Sequence, residues 1–512
     1  MRNTKLTKFE LLFLIITSFV IMTVVTTSSP IYRLNVWDDA NVYFSLGRGI
    51  IEGHVPYRDL YEQKGPLFLF MYAAAALISR HNFTGVWVFE CIGASVFSIF
   101  TWKQVKLFVT DIPKFAVGIV PMFISVVYTM GMFNFGGGAE EFGIPLLSIV
   151  FYVALKMIRE KEYVLPDKKD ALICGIVTSM MFWTKYTFLG FVAAFIVFIL
   201  VIAIKKKAFK ALGQDVLFFL LGFAVMCLPI FIYFIAKGSL SYLFEVYFYN
   251  NIFNYYSGEV VYIGIHKYAI VRFFTMPALA LFHTFKRNPD FTVLFILTVI
   301  GIATFEKKYR KRVAVLTAVL FFVFLKFLFT QATFIYYYGY VLTVFFTITV
   351  IMLVRGVKLW LKKKPSQKKF ISTLLAFSFA FVSLNMLFMC KNLYLLRLTR
   401  DDYSQFVFAD IINETEDPKI FTYDIIDGGF YLTAGVSPSN RYFTTMNFIE
   451  NNEEAMEEQQ RLISEGYFDY IITYSDEYDW DNYELVTVRL DPYCDYTKEI
   501  CLIQYSLYQR VD

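Results

Sequence analysis

The sequence is poor in the residues that usually build metal and nucleotide sites. Its 512 positions include only four histidines and six cysteines. No CxxC, HExxH or Walker-type spacing occurs in the chain, so the common zinc motifs and the P-loop are excluded. Internal repeats and low-complexity tracts are absent as well, which excludes a repeat architecture.

Cysteine is scarce, and most of the cysteines lie in apolar runs. Four of the six cysteines lie in apolar runs and are expected to be packing residues. Only Cys494 and Cys501 lie in polar sequence, where they flank a hairpin-like segment, PYCDYTKEIC. We predict a disulfide between them if this part of the chain is exported, because oxidising compartments permit the bond.

Charge is also scarce: 18% of the residues are charged, whereas 57% are hydrophobic and 20% are aromatic. The apolar residues come in repeated runs of about 15–20 positions, the length that crosses a hydrocarbon core of about 30 Å. The sequence therefore predicts a polytopic membrane protein. The net charge is +5, but the lysines cluster beside apolar runs, which indicates topology signals rather than a nucleic-acid surface.

The basic clusters predict the course of the chain through the membrane. The first apolar run follows Arg2, Lys5 and Lys8 and has no small-residue cleavage site, so we expect a retained span with the N-terminus inside. With this first span the chain makes eleven crossings in all, and the C-terminus is then outside. The predicted crossings are 9–28, 84–101, 115–132, 142–155, two within 171–204, 215–235, 291–304, 313–329, 340–354 and 370–389.

Two apolar runs allow alternatives. Residues 67–79 either cross the membrane or form a helix lying against its face. We favour the second because it leaves every basic cluster inside. If the basic run 306–312 is inside, only one of 268–286 and 291–304 crosses, and we favour 291–304.

Residues 391–512 differ in composition from 1–390 and carry most of the acidic residues. Short runs with strand character alternate there with runs of helical character, so we expect a small extracytoplasmic α/β domain after a transmembrane domain at 1–390. The strand-like runs are 420–423, 470–473, 485–490 and 500–505, and the helix-like runs are 402–412 and 451–464.

The loop at 29–66 is the most polar stretch of the predicted transmembrane domain. It contains two adjacent acids, Asp38 and Asp39, in front of a helical pattern. An aspartate in this position is commonly a helix N-cap. The alternative is a general base at the outer membrane face, because an attacking alcohol must lose its proton to a positioned carboxylate.

The same loop ends in a cluster that includes Arg58 and Lys64. In isolation these two residues are interfacial anchors, but together they suit a lipid phosphate, whose charge needs cationic donors. Lys185, in the middle of the 171–204 run, is a weaker third candidate.

Glu140 and Glu141 follow three glycines and begin a helix, where acids suit the helix dipole. They alternatively form a second polar wall of the same external cleft.

These motifs resemble the first external loop of GT-C fold glycosyltransferases. The pattern is Asp39 with a following amphipathic helix, and then GHVPYRDLYEQKGPL at 53–67. It is most similar to the bacterial, family 39-like members related to protein O-mannosyltransferases and lipid A aminoarabinose transferases. The GGGAEEF loop resembles their second acidic motif, and FWTKY at 182–186 resembles the part that carries a later lysine. The acidic pair of the family is often Asp-Glu, whereas here it is Asp-Asp, which leaves open which one is the base.

The resemblance implies a fold, a reaction and its participants. The chain would be an α-helical GT-C membrane protein with about eleven transmembrane helices and a small α/β domain. It would transfer a sugar from a polyprenyl-phosphate donor, with inversion, to a hydroxyl of an envelope glycan, lipid or protein at the outer face of a bacterial plasma membrane. Asp39, which abuts the helix, would take the proton, and Arg58 and Lys64 would stabilise the phosphate. No cofactor and no divalent metal are expected.

Two other classes of protein remain as alternatives. A transporter or lipid flippase of envelope precursors predicts ionisable residues at mid-membrane and paired broken helices. The acids discussed above lie in predicted external loops, which favours the enzyme. A non-catalytic scaffold that uses its C-terminal domain for partners is the third possibility, and the complete Asp39–Lys64 loop argues against it.

Overall fold

The computed structural model describes residues 4–159, 165–254, 269–329, 335–363, 368–445, 452–494 and 500–511. Up to α10 the α-helices are α1 (Lys8–Val25), α2 (Asp38–Ile51), α3 (Pro66–Ile78), α4 (Thr84–Phe108), α5 (Ile119–Thr129), α6 (Ala139–Arg159), α7 (Lys168–Phe182), α8 (Leu189–Lys206), α9 (Phe209–Ala236) and α10 (Leu240–Tyr242). They continue with α11 (Ala269–Arg287), α12 (Pro289–Thr304), α13 (Lys307–Leu328), α14 (Thr347–Lys363), α15 (Lys368–Met389), α16 (Ser404–Ile412), α17 (Phe430–Thr433) and α18 (Glu453–Ser464). A π-helix covers Leu243–Asn254, and 3₁₀-helices cover Lys114–Gly118, Gly131–Phe133, Tyr186–Phe188, Tyr336–Phe346, Lys391–Arg397 and Arg400–Asp402.

The long helices form a membrane-spanning bundle. Within the described ranges, six helices are long and apolar enough to cross a membrane, or seven if the bent pair Thr373–Met389 and Lys391–Arg397 counts as one span. Large apolar side chains such as Ile16, Val197 and Leu228 are exposed on these helices, as expected where helices face lipid. The chain is thus a multi-pass membrane protein.

Each of the eleven predicted crossings coincides with one of these helices or with a shorter or more charged one. The orientation of the two termini stays a prediction. The 34-residue apolar run at 171–204 is a helical pair, as predicted, because α7 ends at Phe182 and α8 begins at Leu189. The turn between them returns the chain within seven residues.

The 29–66 loop and the run after it form two short helices at one end of the bundle. α2 and α3 have 14 and 13 residues, which extend about 20 Å and are short against a core of about 30 Å. Pro66 occupies the first turn of α3, where its missing N–H costs no hydrogen bond. Tyr43 of α2 packs edge-on against Phe68 and Tyr72 of α3, with ring centroids 4.9 and 5.5 Å apart. The predicted position of 67–79 against the membrane face stays a prediction.

The C-terminal part contains one four-stranded sheet in the order β1 (Ile420–Thr422), β2 (Tyr470–Thr473), β4 (Ile500–Arg510) and β3 (Tyr483–Cys494). β1 and β2 are parallel, and β4 pairs antiparallel with β2 and with β3. All four predicted strands are present, and β3 and β4 extend beyond their predictions because they pair along a long hairpin. α16 and α18 confirm the two helix-like runs, so this part is α/β as expected.

The C-terminal part is fastened directly to α2. Buried Arg48 donates from Nη1 to the Tyr431 carbonyl at 3.0 Å and from Nη2 to the Gly435 carbonyl at 2.9 Å. Ser45, one turn earlier, donates to Asp427 Oδ2 at 2.7 Å. These bonds fix the helix that begins with the two aspartates against the sheet domain.

Candidate functional site

Asp38 and Asp39 form the first turn of α2. The N-cap is Trp37, and no side chain caps the helix, so the interpretation of either aspartate as an N-cap is wrong. The two carboxyl groups have different neighbours. Asp39 Oδ2 accepts a hydrogen bond from the Tyr337 hydroxyl at 3.0 Å, and the Tyr337 ring packs edge-on against Trp37 at 5.6 Å. Asp39 therefore points toward the helix bundle.

Asp38 faces the C-terminal part instead. Burial, followed by the negative charges of Asp39 and Asp427, raises the pKa of the Asp38 carboxyl well above its usual range. The rings of Tyr474 and Tyr505 lie 5.5 Å apart, and both tyrosines interact electrostatically with Asp38. The two adjacent acids therefore have different surroundings: Asp39 the helix bundle, and Asp38 the C-terminal part.

Backbone pairing brings the end of the 29–66 loop to the turn between α7 and α8. The N–H of Gly65 donates to the Thr184 carbonyl at 3.1 Å, and the N–H of Leu67 donates to the Trp183 carbonyl at 3.0 Å. The two chains approach so closely that a Cβ on Gly65 would lie 2.0 Å from the Trp183 oxygen. Only glycine permits this contact. The pairing places Lys64, which precedes Gly65, beside Lys185, which follows Thr184.

Those two residues are Lys64 and Lys185, which line one small cavity of about 50 Å³. Lys64 Nζ lies 3.7 Å from Glu62 Oε1 and 5.3 Å from the centre of the Tyr43 ring. The pKa of the Glu62 carboxyl is raised, mainly by burial. The positive charge of Lys64 opposes this shift, and the negative charge of Asp39 adds to it. Two lysines in the lining of one cavity make it suitable for an anion.

Lys185 pairs with the second acidic motif. Its ammonium forms an ion pair with Glu140 and lies 3.5 Å from the centre of the Tyr338 ring. Both side chains of the ion pair are mostly buried, with exposed fractions of 11% for Lys185 and 5% for Glu140. Lys185, Glu140, Lys64 and Asp39 therefore belong to one electrostatic cluster.

Glu141 points away from this cluster, into the wall of the bundle. Its Oε2 accepts the N–H of Gly137 at 3.0 Å, and the Tyr72 hydroxyl donates to the Gly137 carbonyl at 2.6 Å. Gly136 and Gly137 have φ of +93° and +89°, and a Cβ on Gly136 would meet the Thr26 hydroxyl at 2.1 Å. These glycines allow a backbone with positive φ in a crowded place.

Arg58 makes its contacts elsewhere. Its Nε and Nη2 donate to the two carboxylate oxygens of Asp59 at 2.7 and 2.9 Å, and its Nη1 donates to the Lys237 carbonyl at 3.1 Å. Its side chain is 38% exposed. None of these contacts involves the lysine cavity, and a role for Arg58 in binding phosphate stays a prediction.

Two further predictions, the Cys494–Cys501 disulfide and the absence of a divalent metal, also stay predictions. In the β3–β4 register, Cys501 lies opposite Tyr493, and Cys494 lies opposite Ile500. The Cys494 side chain lies outside the described residues, so the disulfide stays a prediction. Across the described ranges, no three His, Cys, Asp or Glu side chains are grouped as metal ligands would be.

The fold brings several further residues to this site that the sequence motifs do not single out. Tyr337 and Tyr338 lie in an aromatic stretch that gives no specific signal, and nothing in the sequence separates Glu62 from the other charged residues beside Lys64. Glu90 lies within α4, where its carboxylate accepts from the Thr26 hydroxyl at 2.9 Å and stands beside Gly136. A single acid in an apolar run indicates a functional residue or a buried hydrogen-bond network. The position of Glu90 in the run 84–101 is such a signal.

Comparison with known proteins decides the fold. No protein-family model matches the chain, and no curated protein matches it in sequence. Among solved structures, ArnT from Cupriavidus metallidurans bound to undecaprenyl phosphate is similar with a TM-score of 0.60 and 9% identity, over 98% of this chain and 98% of that chain. The apo state of that ArnT gives a TM-score of 0.60 and 11% identity, over 98% and 97%. This chain has the GT-C fold.

The GT-C fold confirms the fold predicted from the motifs of the 29–66 loop. The likeness covers nearly the whole chain, so it includes the C-terminal sheet as well as the helices.

Proposed function

We propose that this protein is a membrane glycosyltransferase that uses a sugar linked to a polyprenyl phosphate. The acceptor is a hydroxyl group of an envelope glycan, a lipid or a protein, and the transfer inverts the anomeric centre. The reaction takes place at the outer face of a bacterial plasma membrane, with the N-terminus in the cytoplasm and the C-terminal domain outside. No divalent metal takes part in this scheme.

One observation carries the proposal. Asp39, Lys64, Glu140, Lys185 and Tyr337 come from separate stretches of the chain and meet at the end of the bundle where the C-terminal part is attached. The arrangement sets a carboxylate beside two ammonium groups. Transfer from a phosphate ester needs these two functions: a base for the nucleophile and cations for the leaving group.

Asp39 acts as the general base. The acceptor oxygen attacks the anomeric carbon and its proton passes to Asp39, while the bond from that carbon to the phosphate oxygen breaks. The Tyr337 hydroxyl holds Asp39 Oδ2 at 3.0 Å, which leaves Oδ1 for the acceptor. Because the hydrogen bond fixes the orientation of the carboxylate, the proton-accepting oxygen stays directed at the acceptor hydroxyl.

Lys64 and Lys185 stabilise the departing lipid phosphate. An ammonium group has three donors, and on Lys185 Glu140 engages one of them. Glu140 and Glu62 hold the two lysines in place, and the cavity between the lysines receives the phosphate oxygens. ArnT of Cupriavidus metallidurans was crystallised with undecaprenyl phosphate, which supports a donor of this class for a chain with the same fold.

The direct test uses purified protein in lipid nanodiscs with a panel of polyprenyl-phosphate sugars. Release of free polyprenyl phosphate is followed by mass spectrometry, with and without an envelope extract as the source of acceptor. We expect acceptor-dependent release from at least one donor. Movement of intact donor lipid across the bilayer, without cleavage, would support the flippase instead.

A further inference from the structure

A second, larger cavity lies next to the lysine cavity. Its volume is about 520 Å³, and Gln63 lines both cavities. Three separate stretches build its wall: the end of the 29–66 loop, the π-helix and the C-terminal part. We name it the amide–tyrosine cleft after the side chains that line it, which are Asn250, Asn254, Asn452, Tyr61, Tyr249 and Tyr442.

The π-helix presents one face to this cleft. Its hydrogen bonds join residues five apart, so positions four and five apart fall on the same side. Glu245, Tyr249, Asn250 and Asn254 follow this spacing and all line the cleft. An α-helix would spread these four residues more widely around its axis. π-helical geometry is rare and is frequent at functional sites.

The floor of the cleft is held in place before any ligand binds. Asn250 donates to the Tyr61 hydroxyl at 3.1 Å, and the Tyr61 N–H donates to the Arg441 carbonyl at 2.9 Å. The Arg441 guanidinium lies 5.6 Å and 5.1 Å from the ring centres of Tyr61 and Tyr442, and it donates to the Tyr57 carbonyl at 3.1 Å. Fixed polar groups of this kind lower the cost of ordering a site on binding.

The chemistry of the lining selects a class of ligand. Amide side chains both donate and accept, so they match hydroxyl groups, which do the same. Tyrosine rings offer flat apolar faces with a polar edge, which suit the C–H faces of a sugar ring. The carboxylates of Glu245, Glu453 and Glu454 also line the cleft. They accept hydrogen bonds from hydroxyl groups. Glu245 and Glu454 lie 3.7 and 3.8 Å from the Arg441 guanidinium. With Glu453 the carboxylates outnumber this one cation, which disfavours a phosphorylated or acidic ligand.

We propose that the amide–tyrosine cleft binds an uncharged, hydroxyl-rich saccharide, which is the part of the acceptor next to the hydroxyl that is glycosylated. This role rests on the proposed function, because the cleft adjoins the lysine cavity through Gln63. The acceptor is then a neutral glycan chain. A lipid headgroup phosphate would meet three carboxylates in this lining.

Binding of defined trisaccharides tests this proposal. The protein is placed in nanodiscs, free of sugar-based detergent, and saturation-transfer difference NMR is recorded with maltotriose, mannotriose, triacetylchitotriose and trigalacturonate. We expect binding of at least one neutral trisaccharide and none of trigalacturonate. The double variant Tyr249→Ala/Asn254→Ala should weaken that binding about fivefold or more, the effect of at least one lost hydrogen bond.

Ile252→Ala is the matched control, since Ile252 is exposed on the same π-helix and does not line the cleft. It should bind as the wild type does. Absence of binding by every neutral trisaccharide, equal binding by the double variant, or preference for trigalacturonate would overturn the proposal. If the cleft binds a trisaccharide but no donor is cleaved in the nanodisc assay, the glycosyltransferase and the acceptor role fail while the saccharide site stands. Donor cleavage without trisaccharide binding rejects the cleft alone.

Discussion

Tyr337 and Asp39 are 298 positions apart in the chain, and the hydroxyl of the first donates to Oδ2 of the second at 3.0 Å. The bond joins the start of α2 to the 3₁₀-helix that leads into α14. The direction of the Asp39 carboxylate therefore depends on a residue that is distant in the sequence.

Tyr337→Phe removes this hydrogen bond and keeps the ring against Trp37. We expect turnover to fall about fivefold, the effect of one hydrogen bond, with the donor KM changed less than the turnover. Steady-state release of polyprenyl phosphate measures both. Tyr340→Phe is the control, because the Tyr340 hydroxyl is buried without a hydrogen-bond partner in the described part of the chain. Equal turnover in wild type and Tyr337→Phe would remove Tyr337 from the site.

Lys64→Ala removes one of the two ammonium groups from the small cavity. One charge-assisted phosphate contact contributes roughly 1.5–3 kcal/mol, so donor turnover should fall about 10- to 100-fold. Arg58→Ala in the same assay shows whether Arg58 shares this role, and its bidentate contact with Asp59 leads us to expect a smaller loss. Unchanged donor kinetics in Lys64→Ala would make Lys64 an interfacial anchor.

Gly65→Ala tests the backbone pairing that brings the two lysines together. The added Cβ would lie 2.0 Å from the Trp183 carbonyl oxygen, and backbone at this distance must move. Overpacking of this kind costs about 1–3 kcal/mol, so we expect a lower melting temperature and weaker donor use together. Gly213→Ala is the matched control, since nothing lies within 4 Å of a Cβ there. A Gly65→Ala variant as stable and active as Gly213→Ala would contradict the pairing.

Asp38→Asn should stabilise the protein in a pH-dependent way. Burial and two neighbouring acids raise the pKa of Asp38 in the folded protein. Between its unfolded value of about 3.9 and the folded pKa, the unfolded chain is already ionised while the folded one is not, so stability is lost as pH rises. The penalty is complete above the folded pKa and absent below pH 3.9.

The melting temperature of Asp38→Asn should therefore exceed that of the wild type on the order of 1–3 °C at pH 8, and the gain should shrink toward pH 4.5. Thermal unfolding in nanodiscs across this pH range provides the measurement. Asp401→Asn, at an exposed position, should show no such trend. A gain that grows as pH falls would mean that Asp38 is stabilised as a carboxylate.

The parts of this structure that sequence predicts are those set by local pattern. The apolar run at 171–204 predicted the helical pair because its length exceeds one span, and the strand-like runs at 470–473 and 500–505 predicted β2 and β4. Asp39 and Lys64 were predicted because they lie in one compact motif. Each of these inferences needs only neighbouring residues.

The remaining site depends on contacts between distant stretches. Lys185 was a weaker candidate because nothing in FWTKY indicates that Gly65 pairs with its turn. Tyr337 lies among several tyrosines, and only its contacts with Asp39 and Trp37 distinguish it. The π-helix is not predictable from the sequence, since the change from α to π geometry leaves no pattern in residue type.

Asp39→Asn is the measurement that tests the central claim most directly. Asparagine keeps the size of the side chain, and its amide oxygen can still accept from Tyr337, but the amide cannot take up the proton. We predict a folded protein with normal donor binding and a transfer rate lower by about 10²–10⁴-fold, with a milder effect in Asp38→Asn. If both variants transfer sugar at the wild-type rate, the mechanism proposed here is wrong. If Asp38→Asn alone abolishes transfer, Asp38 is the base.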